Sequence, residues 1–245
     1  MRTITMQCKA EMLRVIRNPY YVFWSLLMPV LFYFIFTRVV NTGADNPSEW
    51  RAYYLMSMTT FSVMGSAIMT LGIRLVQERT QGWATFMRIT PLPGSIYFFG
   101  KMFGQTMMHL FSVVFIFIAG YLINGVTLPW YLWISSGLWI IAASLPFLAL
   151  GTLVGLMKRV DTASGVSNVV YLLLAVAGGM WMPFEVLPKV MQAIGKWLPS
   201  YQFGSGAWSI VQGDAPSWQS VLILLGYLFL FMILSTYIRK KQEAV

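Results

Sequence analysis

Charge is scarce in this 245-residue chain: only 10% of residues are Asp, Glu, Lys or Arg, against about a quarter in ordinary soluble domains. Such a surface cannot be water-facing all round. The chain has one cysteine, Cys8, and one histidine, His109, which excludes an internal disulfide and any thiol or imidazole cluster for a metal. Its eight acids (Glu11, Asp45, Glu49, Glu78, Asp161, Glu185, Asp214 and Glu243) all fall in flanks or expected loops. A proton-driven carrier generally needs a titratable carboxylate inside a span. A phosphate-binding loop is absent too. Gly94 to Gly100-Lys101 comes nearest, but five residues separate the glycines where four are needed, and Met102 replaces the Ser or Thr that would hold magnesium. No Ser has a His and carboxylate at a readable spacing, so intramembrane hydrolysis has no support either.

What is present is apolar surface. Hydrophobic residues make up 58% of the chain and the mean hydropathy is +0.67. Stretches of about 20 apolar residues fit the roughly 30 Å hydrocarbon core of a bilayer, and nothing alternates as barrel strands do. The expectation is an all-α membrane protein, one domain over residues 1–245, with six transmembrane helices near 20–40, 52–73, 102–124, 131–156, 166–182 and 217–238. With the N-terminus inside, Arg38, Arg51, Lys189 and Lys196 fall outside and the other 13 of the 17 Lys and Arg (17 − 4) fall on the cytosolic side. Both termini are therefore expected in the cytosol of a multi-pass plasma-membrane protein. The net charge of +9 reflects this bias and attraction to anionic membrane lipid, with no nucleic acid implied.

Three polar or amphipathic stretches interrupt the spans. Ahead of the first, Ile4, Cys8, Met12, Val15 and Ile16 share a helical face opposite Gln7, Glu11, Arg14 and Asn18. That is the pattern of an N-terminal interfacial helix, with Arg14 and Arg17 as its charges and Asn18-Pro19 as its break. Between spans two and three, Arg74 to Lys101 reads as a cytosolic loop. It carries Glu78 and Arg79, then Gly82, then Trp83, Phe86 and Met87 at i, i+3, i+4, then Arg88 and the stop Pro91. A short helix of this kind can lie in a groove of a soluble partner. Between spans five and six, Gly178, Gly179, Met182 and Pro183 end one apolar run, and an amphipathic piece with Val190, Met191, Ile194 and Trp197 on one face follows. This suggests an outer re-entrant hairpin, or an interfacial loop anchored by aromatics. His109 reads best as a bundle histidine held by hydrogen bonds, ahead of a metal ligand or proton relay.

Taken in order, these residues resemble the ABC type-2 permeases over nearly the whole chain. Arg17-Asn18-Pro19 with Phe23-Trp24 and Pro29 resembles the family's opening. Glu78-Arg79, Gly82, Pro91 and Gly100-Lys101 resemble its coupling loop. Gly178-Gly179, Met182-Pro183 and Leu187-Pro188 resemble the end of its fifth span, and Leu198-Pro199-Ser200-Tyr201 the segment before its sixth. The resemblance implies a half-transporter that is not itself an enzyme. It would pair with a second permease, identical or related, and with two copies of a separate ATP-binding cassette subunit, which would hold ATP and magnesium; this chain would bind no cofactor. Glu78, Arg79, Gly82, Trp83, Phe86, Met87, Arg88 and Pro91 would form the ATPase-coupling element. Gly178, Gly179, Met182 and Pro183 would form an outer gate, and Arg14, Arg17, Asn18 and Pro19 would belong to the N-terminal anchor. By analogy the cargo would be a hydrophobic or amphipathic small molecule such as a drug, antibiotic or lipopeptide, with efflux and resistance as the setting. Competing classes are a passive channel or secondary carrier, and a non-transporting sensor or assembly protein.

Overall fold

The structure is a computed structural model, and it describes residues 2–17, 19–40, 46–83 and 93–243. Of the residues singled out above, Asn18, Asp45, Phe86, Met87, Arg88 and Pro91 lie outside these. The described residues form helices and turns with no strand. Helix α1 spans Arg2–Ile16 and α2 spans Pro19–Phe34, continuing as a π-helical turn at Ile35–Val39. The second apolar run is α3 (Pro47–Gly65), a π-helical turn (Ser66–Thr70) and α4 (Leu71–Thr80). Then come α5 (Gly94–Asn124), α6 (Trp130–Ala143), α7 (Leu145–Val154), α8 (Val160–Ala177), α9 (Lys189–Gly195), α10 (Pro199–Gln212) and α11 (Trp218–Glu243).

Proline and glycine punctuate the helices as their chemistry requires. Pro47 and Pro199 sit in first turns, where a missing N–H costs nothing. Gly125 and Gly213 close α5 and α10 at φ of 61° and 96°, a left-handed conformation that favours a residue without a Cβ. Pro146 lacks the N–H that would bond the preceding turn, and the fourth apolar run breaks just before it, at Ser144 between α6 and α7.

Five helices are long and apolar enough to cross a membrane: Pro47–Thr80, Ile96–Asn124, Trp130–Val154, Val160–Ala177 and Trp218–Gln242. They match expected spans two to six. The described apolar part of the first, Leu26–Val39, is shorter than a span. The sequence reading ended the second span near Ile73 and made Arg74 to Lys101 a loop. The structure corrects this: the helix continues to Thr80, and α5 begins at Gly94. Helical propensity of LGIRLVQERT carries the chain on past the apolar stretch, and the last turn ends on Gln81, with Gly82 at φ 77°.

The bundle is built around α3. Two thirds of the apolar stretch of Pro47–Thr80 is buried (67%), against 17% for α8 and 6% for α11, so α3 is the core and the last two helices are its coat. Facing lipid costs an apolar helix nothing, which is why α11 can remain almost bare. The segment between the last two long helices is not a loop over the surface. Phe203 and Ala207 of α10 are fully buried. Its Trp208 donates from Nε1 to Ser57 Oγ of α3 at 2.9 Å, and Trp139 of α6 donates to its Phe203 carbonyl at 3.0 Å.

The tightest approach in the core joins α7 to the π-helical turn. A Cβ on Gly151 would fall 2.2 Å from the Ala67 carbonyl oxygen. Gly151→Ala should therefore destabilise the fold by about 1–3 kcal/mol, as overpacked sites do. A thermal melt in detergent would detect the loss, and an unchanged midpoint would contradict this helix contact.

Candidate functional site

The stretch singled out in the sequence leads to a cluster of ionised side chains from three helices. Lys101, on the second turn of α5, has a side chain with 0% exposure. Its Nζ lies 2.6 Å from the Glu78 carboxylate of α4 and 3.2 Å from Glu11 of α1. Arg14 of α1 reaches Glu78 Oε1 at 2.6 Å, and Arg74 of α4 reaches Glu11 Oε2 at 3.4 Å. Tyr97 donates its hydroxyl to Glu78 and places its ring 4.6 Å from the Lys101 ammonium. The two carboxylates are 5% and 6% exposed, whereas Arg14 is 45% exposed and marks the watery edge. Burying an ion costs several kcal/mol unless partners and hydrogen bonds replace its water. Here every charge is shared, so the node holds α1, α4 and α5 in one geometry.

Local sequence explains why α1 docks this way round. Gly100 and Gly104, one turn apart on α5, open a groove. A Cβ on either would meet Gln7 Cγ at 2.5 Å or Glu11 Cβ at 3.0 Å. The polar face of α1 thus enters the protein, while Ile4, Met6, Met12 and Leu13 remain exposed. In water that would be inside out. At a bilayer surface it is the arrangement an interfacial helix needs, with acyl chains covering what the protein does not.

The remaining expected residues divide. Arg79 does not join the node; it donates to the Met157 carbonyl beyond α7. Gly82 ends α4 in the left-handed region, and the exposed Trp83 follows with Arg14 6.0 Å from its ring centroid. Arg14 therefore pairs with Glu78 and lies at the edge of cation–π range of Trp83, beside the residues that follow α4. Arg17 caps the end of α1, its amide bonded to the Leu13 carbonyl, and Pro19 opens α2. At the opposite end, Gly178 terminates α8 and packs under Ser200 of α10. Gly179 turns at φ 73°, Met182 is exposed, and Pro183 precedes a short 3-10 turn at Phe184–Val186. Near that end a cavity of about 410 Å³ opens between α3, the α5–α6 connection and α10, lined in part by Arg51, Tyr53, Asn124 and Trp208.

Lys101, Glu11, Tyr97 and Arg74 were not recognised as a group in the sequence. One signal was available: Lys101, Gln105 and His109 recur every four residues on α5, a polar stripe on an apolar helix, beside Gly100 and Gly104.

An ion-paired node at one end of a bundle of apolar helices fits a membrane transport protein. The family comparison decides the point. Residues 37–237 match the model of the ABC-2 family transporter proteins. The chain belongs to that family. It is also 60% identical, over 245 residues and the full length of both chains, to the Bacillus subtilis (strain 168) protein named "Putative transport permease YvfS". This ABC-2 permease is a multi-pass membrane protein, and its family implies a partner subunit that binds ATP.

Proposed function

We propose that this permease is the membrane half of an ATP-driven exporter, moving a hydrophobic or amphipathic small molecule with energy from a separate ATP-binding cassette subunit. The observation that carries the reading is the node of buried Glu78, Lys101 and Glu11 with Arg14, where α4 and α5 flank residues 81–93. A force applied at that segment enters α4, α5 and α1 together. In this reading α2 supplies a sixth crossing, both termini lie in the cytosol, and two permeases, identical or related, enclose a path between their first, second and fifth spans. Two ATP-binding subunits close beneath them. Trp83, with Phe86, Met87, Arg88 and Pro91 after it, is the docking element. Gly178, Gly179, Met182 and Pro183 form the outer closure together with a re-entrant α9–α10. Drug, antibiotic or lipopeptide cargo suits the aromatic and methionine-rich interior, and the 410 Å³ outer cavity is of a size that small ligands use.

The test is a pull-down of the solubilised permease from its host membrane, followed by mass spectrometry. A soluble subunit with a phosphate-binding loop should follow it, and Trp83→Ala with Phe86→Ala should abolish that recovery. Recovery of the permease alone, in mild detergent and with either terminus tagged, would move the reading to a passive channel or secondary carrier. A subunit that binds equally well after both changes would remove the loop from the docking role.

A further inference from the structure

Two of the apolar runs are irregular where they face neighbouring turns of α5. The second changes from α-helical to π-helical at Ser66–Thr70, and the fourth breaks at Ser144 before Pro146. π-Turns and prolines are the usual places where a helix bends. The third run, α5, passes both breaks as an unbroken helix of 31 residues. From it Gln105 donates Nε2 to Ser66 Oγ at 2.6 Å and to the Ser66 carbonyl at 3.1 Å. One turn on, His109 Nδ1 lies 3.2 Å from Ser144 Oγ, and its Nε2 lies 3.4 Å from Gln105 Nε2. Ser144 gives its hydroxyl proton to the Ile141 carbonyl at 2.7 Å, so His109 Nδ1–H donates to Ser144, while the two Gln105 N–H groups are shared among three acceptors, of which His109 Nε2 is the most distant. All four side chains are buried.

Below the breaks, α7 and the residue that follows it pack closely on the π-helical turn and on α4. Gly151 sits on the Ala67 carbonyl, Gly72 faces Val154 with 2.8 Å from its would-be Cβ to Cγ1, and Gly155 faces Leu75 with 2.8 Å to Cβ. Arg79 closes the lower end on the Met157 carbonyl. Glycine contacts of this closeness resist sliding, because a glycine backbone meets a carbonyl at Gly151 and the stiff Cβ end of a side chain at Gly72 and Gly155. The half-helix that carries Glu78 thus has close glycine contacts to its neighbour besides its helical link to the π-turn.

We infer that α4 and α7 move as one inner module, hinged at Ser66–Thr70 and at Ser144, and that Gln105 and His109 are positioning residues that latch both hinges to α5. Its use in transport rests on the exporter reading above; the movement itself does not. Bistable packed units of this kind convert a small push into a defined displacement. The ionic node ties the module's free end to Lys101, and the two latches tie its hinges to the next two turns of the same helix.

The experiment measures spin-label distances in the purified permease in lipid nanodiscs, in a Cys8→Ser background. One label pair, at Gln77 and Glu49, spans the first hinge; a second, at Gln77 and Lys158, joins α4 to the turn that follows α7. All three positions are exposed. With Gln105→Leu and His109→Leu together, the Gln77–Glu49 distribution should roughly double in width while Gln77–Lys158 stays sharp. Ser144→Ala, a change small enough to fold, should broaden the first pair part-way, and His109→Asn, which keeps a donor at the Nδ1 position, should restore the narrow distribution to the His109→Leu protein. Equal broadening of both pairs would mean general loosening, and no broadening of either would mean no latch. Either result overturns the inference.

Discussion

Lys101→Met should release the N-terminal helix from the bundle and leave the permease too unstable to accumulate well. The substitution keeps the stem volume and removes the charge, so two carboxylates with 5% and 6% exposure lose their common partner. Removing one member of a buried ionic set costs about 3–5 kcal/mol, a large part of the margin by which domains are stable. Arg14 still reaches Glu78 and Arg74 still reaches Glu11, but the first is 45% exposed and the second stands 3.4 Å away. Neither replaces an ammonium at 2.6 Å. Limited trypsin digestion gives the readout, because a detached α1 offers Lys9, Arg14 and Arg17 to the protease. Adding Glu78→Gln and Glu11→Gln to the variant should restore much of the protection, since neutral amides no longer need a cation. If Lys101→Met digests and melts as the parent does, the node does not hold α1.

Lys101 also marks the line between what was legible in the sequence and what was not. Apolar length alone located spans two to six, and the alternation of Ile4, Cys8 and Met12 with Gln7 and Glu11 located α1 and its two faces. The role of those faces was open, because a sequence does not say whether lipid or protein will cover the apolar one. Lys101 read as a span flank obeying the orientation rule, yet it is fully buried. Its burial depends on Glu11, 90 residues away, and on a groove left by Gly100 and Gly104. Glu78 read as a loop residue because hydropathy falls after Ile73, but backbone hydrogen bonding continues to Thr80 whether or not the side chains are apolar. The break at Ser144 had a visible cause in Pro146 that a window of apolar residues averages away. The latch at His109 had only the four-residue repeat of Lys101, Gln105 and His109 to announce it, and its partners Ser66 and Ser144 come from two other helices.

Glu78→Ala should have the opposite balance of effects, small on folding and large on transport. Lys101 keeps Glu11 at 3.2 Å, so its buried charge is still met, and Arg14 is exposed enough to return to water. The lost contacts are those between α4 and its two neighbours: Lys101 and Tyr97 of α5, and Arg14 of α1. Arg14 is also the residue that lies over Trp83 at the start of the docking loop. Without Glu78 a push on that loop can still move α4, but α5 and α1 no longer follow it. The variant should therefore assemble with the ATP-binding subunit and hydrolyse ATP at near the parental rate, while cargo moved per ATP falls about tenfold, within the 1–3 kcal/mol over which coupled sites commonly interact. Proteoliposomes with both activities assayed in one preparation separate the two. Glu78→Gln, which keeps an oxygen for Tyr97 and Lys101, should fall between Ala and the parent. Normal export by Glu78→Ala would show that force bypasses the node, and loss of ATPase binding would make Glu78 part of the docking surface, although its carboxylate faces inward at 6% exposure.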